Sequence, residues 1–178
     1  MKRGQRGVTL IELQVAITIG VLIAIAATVS TIQLMKYSSS VTDRMTAIRH
    51  VENAGYWIAR DAETAGNVTV DGLTFPNFMV MTWTVYGYDG VPSVHHSVTY
   101  SFADFSQGIG KLKRTHWSSA GANETTLIGE YIYYDVADPS NTTKASYQSS
   151  ELAVTLTGRY GSATRSKVYT IVRRANFF

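Results

Sequence analysis

Glu12 has the clearest capacity for chemistry in this 178-residue chain because of where it stands. It is preceded by Arg6-Gly7-Val8-Thr9-Leu10-Ile11 and opens an uncharged run, Leu13–Met35, reading LQVAITIGVLIAIAATVSTIQLM. A carboxylate at the head of such a run costs free energy in lipid unless it meets a partner: about 2.5–3.5 kcal/mol at the bilayer centre and less near the interface. Cleavage between Gly7 and Val8 would create that partner. The new α-amine would be a cation, and Glu12 lies four residues further on, one helical turn away on the same face. The pair can close within one chain, or the Glu12 of one copy can neutralise the terminal amine of the next. The second arrangement turns a stranded carboxylate into a reason to polymerise.

Other residue types capable of chemistry do not assemble into a recognisable pattern. The chain has no cysteine, which excludes disulfides, thiolate metal sites and a cysteine nucleophile. His50, His95, His96 and His116 are scattered, and the adjacent pair points to opposite faces of any regular strand, so it cannot share a metal there. Neither HExxH, Gly-x-Ser-x-Gly nor a glycine-rich phosphate loop occurs. Asp61 and Glu63 point to different helix faces and read as helix-end capping or solvated charge. No catalytic residue, metal or cofactor is expected. A basic and aromatic group near the end, Arg159, Arg165, Lys167, Arg173 and Arg174 with Tyr160, Tyr169, Phe177 and Phe178, allows a nucleic-acid patch, but solvated edge-strand charge explains it better. Asn67-Val-Thr69, Asn123-Glu-Thr125 and Asn141-Thr-Thr143 fit the N-glycosylation pattern weakly in a chain this rich in Ser and Thr.

The formal charge of +3 rests on Lys2, Arg3 and Arg6; without residues 1–7 the balance is 13 basic against 13 acidic side chains. Broad basicity is therefore no argument for nucleic acid. The uncharged run exceeds the roughly 20 residues that cross a bilayer as a helix, so residues 8–35 are expected to span a membrane once, with the basic amino end in the cytoplasm. No proline precedes Pro76, so the helix is expected to continue to Ala65, a length of roughly 87 Å at 1.5 Å per residue. Val41, Met45, Ile48, Val51, Gly55, Ile58, Ala62 and Ala65 form an apolar stripe expected to pack on the chain's own domain. Gly66-Asn67 ends the helix. About six strands follow, at 78–88, 94–102, 111–117, 127–136, 152–157 and 167–173, with turns at Asp89-Gly90-Val91-Pro92, Gly108–Gly110, Asp138–Asn141 and Gly161-Ser162. Strict alternation at Val94–Phe102 and Leu152–Thr157 is antiparallel behaviour. The fold class is α+β: a leader at 1–7, a membrane helix at 8–35, its amphipathic extension at 36–65, and a β-sheet domain at 66–178 covered by that extension.

A short basic leader ending in glycine, followed by Thr-Leu-Ile-Glu-Leu opening a long apolar helix, resembles the prepilin-type signal of type IV pilins and type II secretion pseudopilins. The match covers about residues 2–35. The resemblance implies that a prepilin peptidase cuts after Gly7, that Val8 becomes the N-methylated first residue, and that Glu12 is the assembly carboxylate. It implies as partners other pilins or pseudopilins, the peptidase and an inner-membrane assembly platform, and a filament at the cell surface or in the periplasm. Val8 departs from the commoner phenylalanine or methionine, and Gln14 adds a second polar group to the first turns. The helix lacks the proline of many major pilins, and the chain lacks their cysteine pair. With Arg60–Gly66 closing the helix and Val172-Arg173-Arg174-Ala175-Asn176 near the end, the chain is similar to minor subunits.

A rival reading has a distinct signature. A secretory signal peptide would use Ala24-Ile25-Ala26 as its cleavage site and release a soluble domain starting near Ala27, although Glu12 and Gln14 sit poorly in such a segment. In that case the product would be a ligand-binding domain for DNA, a surface or cargo.

Overall fold

The computed structural model describes residues 8–87, 92–138 and 140–172. The chain divides into two compact units, residues 1–42 and 43–178. One helix, α1, runs Leu10–Thr64, and eight strands follow: β1 Asn67–Thr69, β2 Asn77–Tyr86, β3 Pro92–Ser106, β4 Ile109–Ser118, β5 Gly121–Tyr133, β6 Lys144–Gln148, β7 Glu151–Tyr160 and β8 Ala163–Val172. The α+β class is as expected. All pairings are antiparallel. β1 to β5 form a meander in chain order, and β7 receives β5 through a bridge of Ile132 to Gly158, β6 along Glu151–Thr155 and β8 along its whole length. Buried Thr143 fills the seam between β5 and β7: its N–H donates to the Tyr133 carbonyl at 3.0 Å, and its Oγ1 accepts from Thr157 N–H at 3.0 Å.

Six of the strands were expected. The two missed are β1, three residues long, and β6, Lys-Ala-Ser-Tyr-Gln, whose alternation rests on Ala145 and Tyr147 alone. The β2–β3 turn expected at Asp89–Pro92 lies largely outside the described residues, as do Pro139 and residues 173–178. Gly66 does not close α1 by a left-handed turn. Its N–H donates to the Thr82 carbonyl at 2.8 Å, and an added Cβ would stand 3.4 Å from that oxygen, so it is a site of close backbone approach.

In the unit 43–178, α1 lies on one face of the sheet. Val98, Tyr100 and Phe102 of β3 and Leu152, Val154 and Leu156 of β7 are buried beneath it, as their alternation requires. The helical stripe is confirmed only in its second half. Val51, Gly55, Ile58, Ala62 and Ala65 are buried, whereas Met45 and Ile48 are 50 % and 39 % exposed, and Ala47 and Ala54 take the covered positions. Close approach is the reason. A Cβ on Gly158 would lie 2.8 Å from the Ala47 carbonyl and from Val51 Cγ2, and one on Gly55 would strike the Tyr169 ring. The contact line therefore runs through Ala47, Val51, Ala54, Gly55 and Ile58, and Met45 and Ile48 fall to its side.

Asp61 corrects the sequence reading most sharply, because it is buried rather than solvated. Its carboxylate accepts from Arg114 Nε at 2.6 Å, Arg114 Nη2 at 2.9 Å and the Tyr100 hydroxyl, which also reaches the Trp57 carbonyl at 3.1 Å. The Arg114 guanidinium lies 5.0 Å from the Trp57 ring centroid. Burial and then the Asp61 charge hold the Tyr100 hydroxyl far above its ordinary range, and the hydrogen bonds to Asp61 raise Arg114 further. This forked pair ties α1 to β3 and β4 in a single register. Asn53 Nδ2 to the Ile128 carbonyl at 2.7 Å and Glu130 N–H to His50 Nδ1 at 3.1 Å extend the tie to β5.

Two expected outcomes follow from these contacts. Asp61→Ala leaves the Arg114 charge buried alone and should lower unfolding free energy by about 3–5 kcal/mol, read from urea midpoints, with Asp61→Leu/Arg114→Met recovering most of it. His96 behaves differently. Burial, then the neighbouring His116, depress its pKa below the ordinary 6.5. The unfolded chain therefore takes up the proton first, so this contribution is present above pH 6.5 and lost as pH falls through the lower folded value. His96→Gln should flatten that part of the stability–pH curve.

Candidate functional site

The first turn of α1 is closed by Thr9 and Glu12 acting reciprocally. The Thr9 N–H donates to Glu12 Oε2 at 2.9 Å, the Thr9 hydroxyl donates to the same oxygen at 3.0 Å, and Glu12 N–H donates to Thr9 Oγ1 at 3.3 Å. Leu13 N–H then reaches the Thr9 carbonyl at 3.2 Å. This is a capping box: Thr at the N-cap, Glu at the third helical position, each satisfying an amide that the helix leaves without an internal partner. The negative charge also faces the positive end of the helix dipole. Thr9 is a site residue that the sequence reading passed over. Its signal in the sequence is Thr-x-x-Glu before an apolar run.

Beyond this cap the helix is apolar on every side. Each large apolar side chain from Val8 to Met35 is at least 48 % exposed. The helix is long and apolar enough to cross a membrane. Its hydroxyls need no external partner: Thr18 donates to the Gln14 carbonyl, Thr28 to Ala24, Ser30 to Ala26 and Thr31 to Ala27, all at 2.8–2.9 Å. Back-bonding of this kind lets a polar residue sit in hydrocarbon without an unsatisfied group. Gly7 and the leader basic residues lie outside the described residues, so the expected cleavage point has no geometry here; Val8 is exposed at the entry to the helix.

Residues 2–28 match the family described as the prokaryotic N-terminal methylation motif. This segment is a prepilin-type signal. It is of the kind carried by type IV pilin and pseudopilin precursors, and the apolar helix that follows fits a single-pass anchor. No curated protein and no solved structure matches the chain significantly.

The remaining candidates resolve within the sheet domain. Strand pairing brings two of the four scattered histidines together, with His96 Nδ1 3.1 Å from His116 Nε2 and the Trp83 ring parallel to both. The sequence could not show this, because it depends on the β3–β4 register that sets Val98 against His116. Among the described residues no three His, Asp or Glu side chains gather as a metal site. Of the basic group near the end, Lys167 pairs with Glu52 at 3.2 Å, Arg159 lies over the Tyr133 ring, and the Tyr169 hydroxyl donates to the Val51 carbonyl. Arg173, Arg174, Phe177 and Phe178 lie outside the described residues.

Thr9→Ala should remove the cap at a cost of about 1 kcal/mol, which corresponds to roughly fivefold faster amide hydrogen exchange at Leu10–Leu13 in detergent micelles. Unchanged exchange would show that the first turn is held by something other than the Thr9–Glu12 pair.

Proposed function

We propose that the chain is a minor subunit of a type IV pilus or a type II secretion pseudopilus, cut after Gly7, N-methylated at Val8 and assembled through α1. The observation that carries this reading is the pairing of a methylation motif with an apolar helix, exposed on every side, whose first turn holds Glu12. In the membrane the helix stores the subunit. In the filament its sides bury against other apolar helices, and Glu12 sets axial register by meeting the α-amine of a neighbouring copy. The absence of proline between Leu10 and Thr64 and the absence of cysteine support a minor over a major subunit. The assembly platform and prepilin peptidase are the implied partners, with the amino end of the precursor in the cytoplasm.

The capping box supplies a sharp test of the role of Glu12. Glutamine can also cap at this position but carries no charge. Glu12→Ala and Glu12→Gln should both leave cleavage intact and both lower incorporation into purified filaments. If Glu12→Gln incorporates normally, the carboxylate serves the helix cap and not charge pairing. Gly7→Lys should retain the leader. Intact mass of the mature protein should correspond to a start at Val8 plus one methyl group, whereas a start near Ala27 would identify ordinary signal-peptidase release and remove the reading.

A further inference from the structure

β1 to β4 turn a second face away from α1, and its chemistry changes along the strands. Toward the start of β4 this face is charged: Lys111 and Lys113 stand on it, and Lys111 bonds Asp104 at 2.8 Å. Toward the other end the charge stops. The register sets Thr82, Ser97 and Trp117 in one cross-strand row and Thr84 beside His95 in the next, with Thr84 Oγ1 3.0 Å from His95 Nδ1. These residues and Tyr86 line a cleft of about 1190 Å³, and none of its described lining residues is Asp, Glu, Lys or Arg. Trp117 is 44 % exposed and Tyr86 51 % exposed.

A large aromatic ring held at the surface among neutral hydroxyls and an imidazole is an unusual way to finish a solvated sheet face, which ordinarily carries charge. The combination selects among ligands. Nucleic acid needs cations against its phosphates, and the described lining has none. A lipid tail or an apolar helix would find apolar surface on Trp83, Val85 and Trp117 but would leave the hydroxyls of Thr82, Thr84 and Ser97 without an exchange for their water. A neutral polyhydroxylated ring fits both features, since its apolar C–H face can lie on an aromatic side chain while its hydroxyls exchange neutral hydrogen bonds with a few fixed polar groups. We infer that this cleft binds neutral carbohydrate, with Trp117 and Tyr86 as stacking surfaces and Thr82, Ser97, Thr84 and His95 as hydrogen-bonding groups. The inference is independent of how the subunit assembles.

The test applies the full-length protein, kept in a sugar-free detergent, to an array of immobilised neutral, sialylated and sulfated oligosaccharides. Retention on neutral oligosaccharides is expected, with Trp117→Ala and His95→Ala each weakening it and the tryptophan change costing roughly tenfold. Val168→Thr, on exposed β8, is expected to leave retention unchanged, and far-UV circular dichroism checks that each variant is folded. Retention on no neutral oligosaccharide, retention confined to the acidic ones, or Trp117→Ala binding as tightly as the parent would each overturn the inference.

Discussion

Between Leu13 and Met35 an uncharged stretch of helix exposes apolar side chains around its whole circumference, and water is a poor solvent for it. At about 25 cal/mol per Å² of apolar surface, such a helix gains free energy by leaving water, and it fits a single-pass membrane anchor. Two features of its described residues accommodate this constraint. The hydroxyls of Thr18, Thr28, Ser30 and Thr31 bond back to their own helix. Glu12, the one charged side chain of the described first turn, is drawn onto the end of the helix, where peptide amides lack internal partners.

From Asp43 onward the same helix answers a different requirement. Its sheet-facing line sets Ala47, Ala54, Gly55 and Ala62 among Val51 and Ile58, so the backbone comes close to β7 at Gly158 and the Tyr169 ring of β8 reaches Gly55. Apolar burial alone is non-directional and does not single out one register. The Asp61–Arg114–Tyr100 group removes that freedom, since a forked ion pair has one satisfying geometry and a misregistered helix would bury a bare charge. Burial area supplies the stability of the domain and the buried polar group supplies its register.

The parts legible in the sequence are those set by local pattern. Alternation at Val94–Phe102 and Leu152–Leu156 placed two core strands and their buried faces, and the uncharged run placed the helix to within two residues at its start. Features decided by tertiary contact were not legible. Met45 and Ile48 belong to the apolar stripe by spacing, but lie outside the contact because the helix turns Ala47, Val51 and Ala54 to the sheet, with the Ala47 carbonyl against Gly158. Asp61 looked solvated because a single carboxylate on a helix gives no hint of an arginine 53 residues away. At the amino terminus the reverse holds: Thr9-Leu-Ile-Glu12 spells a capping box in four residues, a purely local pattern.

The capping box bears on how a carboxylate can serve two ends. An ionised carboxylate offers about four lone-pair sites, and both bonds from Thr9 fall on Oε2. The group can hold the cap and accept an ammonium at the same time. Capping also draws the side chain back toward residue 9, the neighbour of Val8, so its rotamer is restricted before any partner arrives. Ordering a free glutamate at the moment of association would cost rotamer entropy; a capped one has already given most of it up during folding. In the assembly we propose, Thr9 is therefore a positioning residue for Glu12, and helix start and filament register become consequences of one local hydrogen-bond pattern.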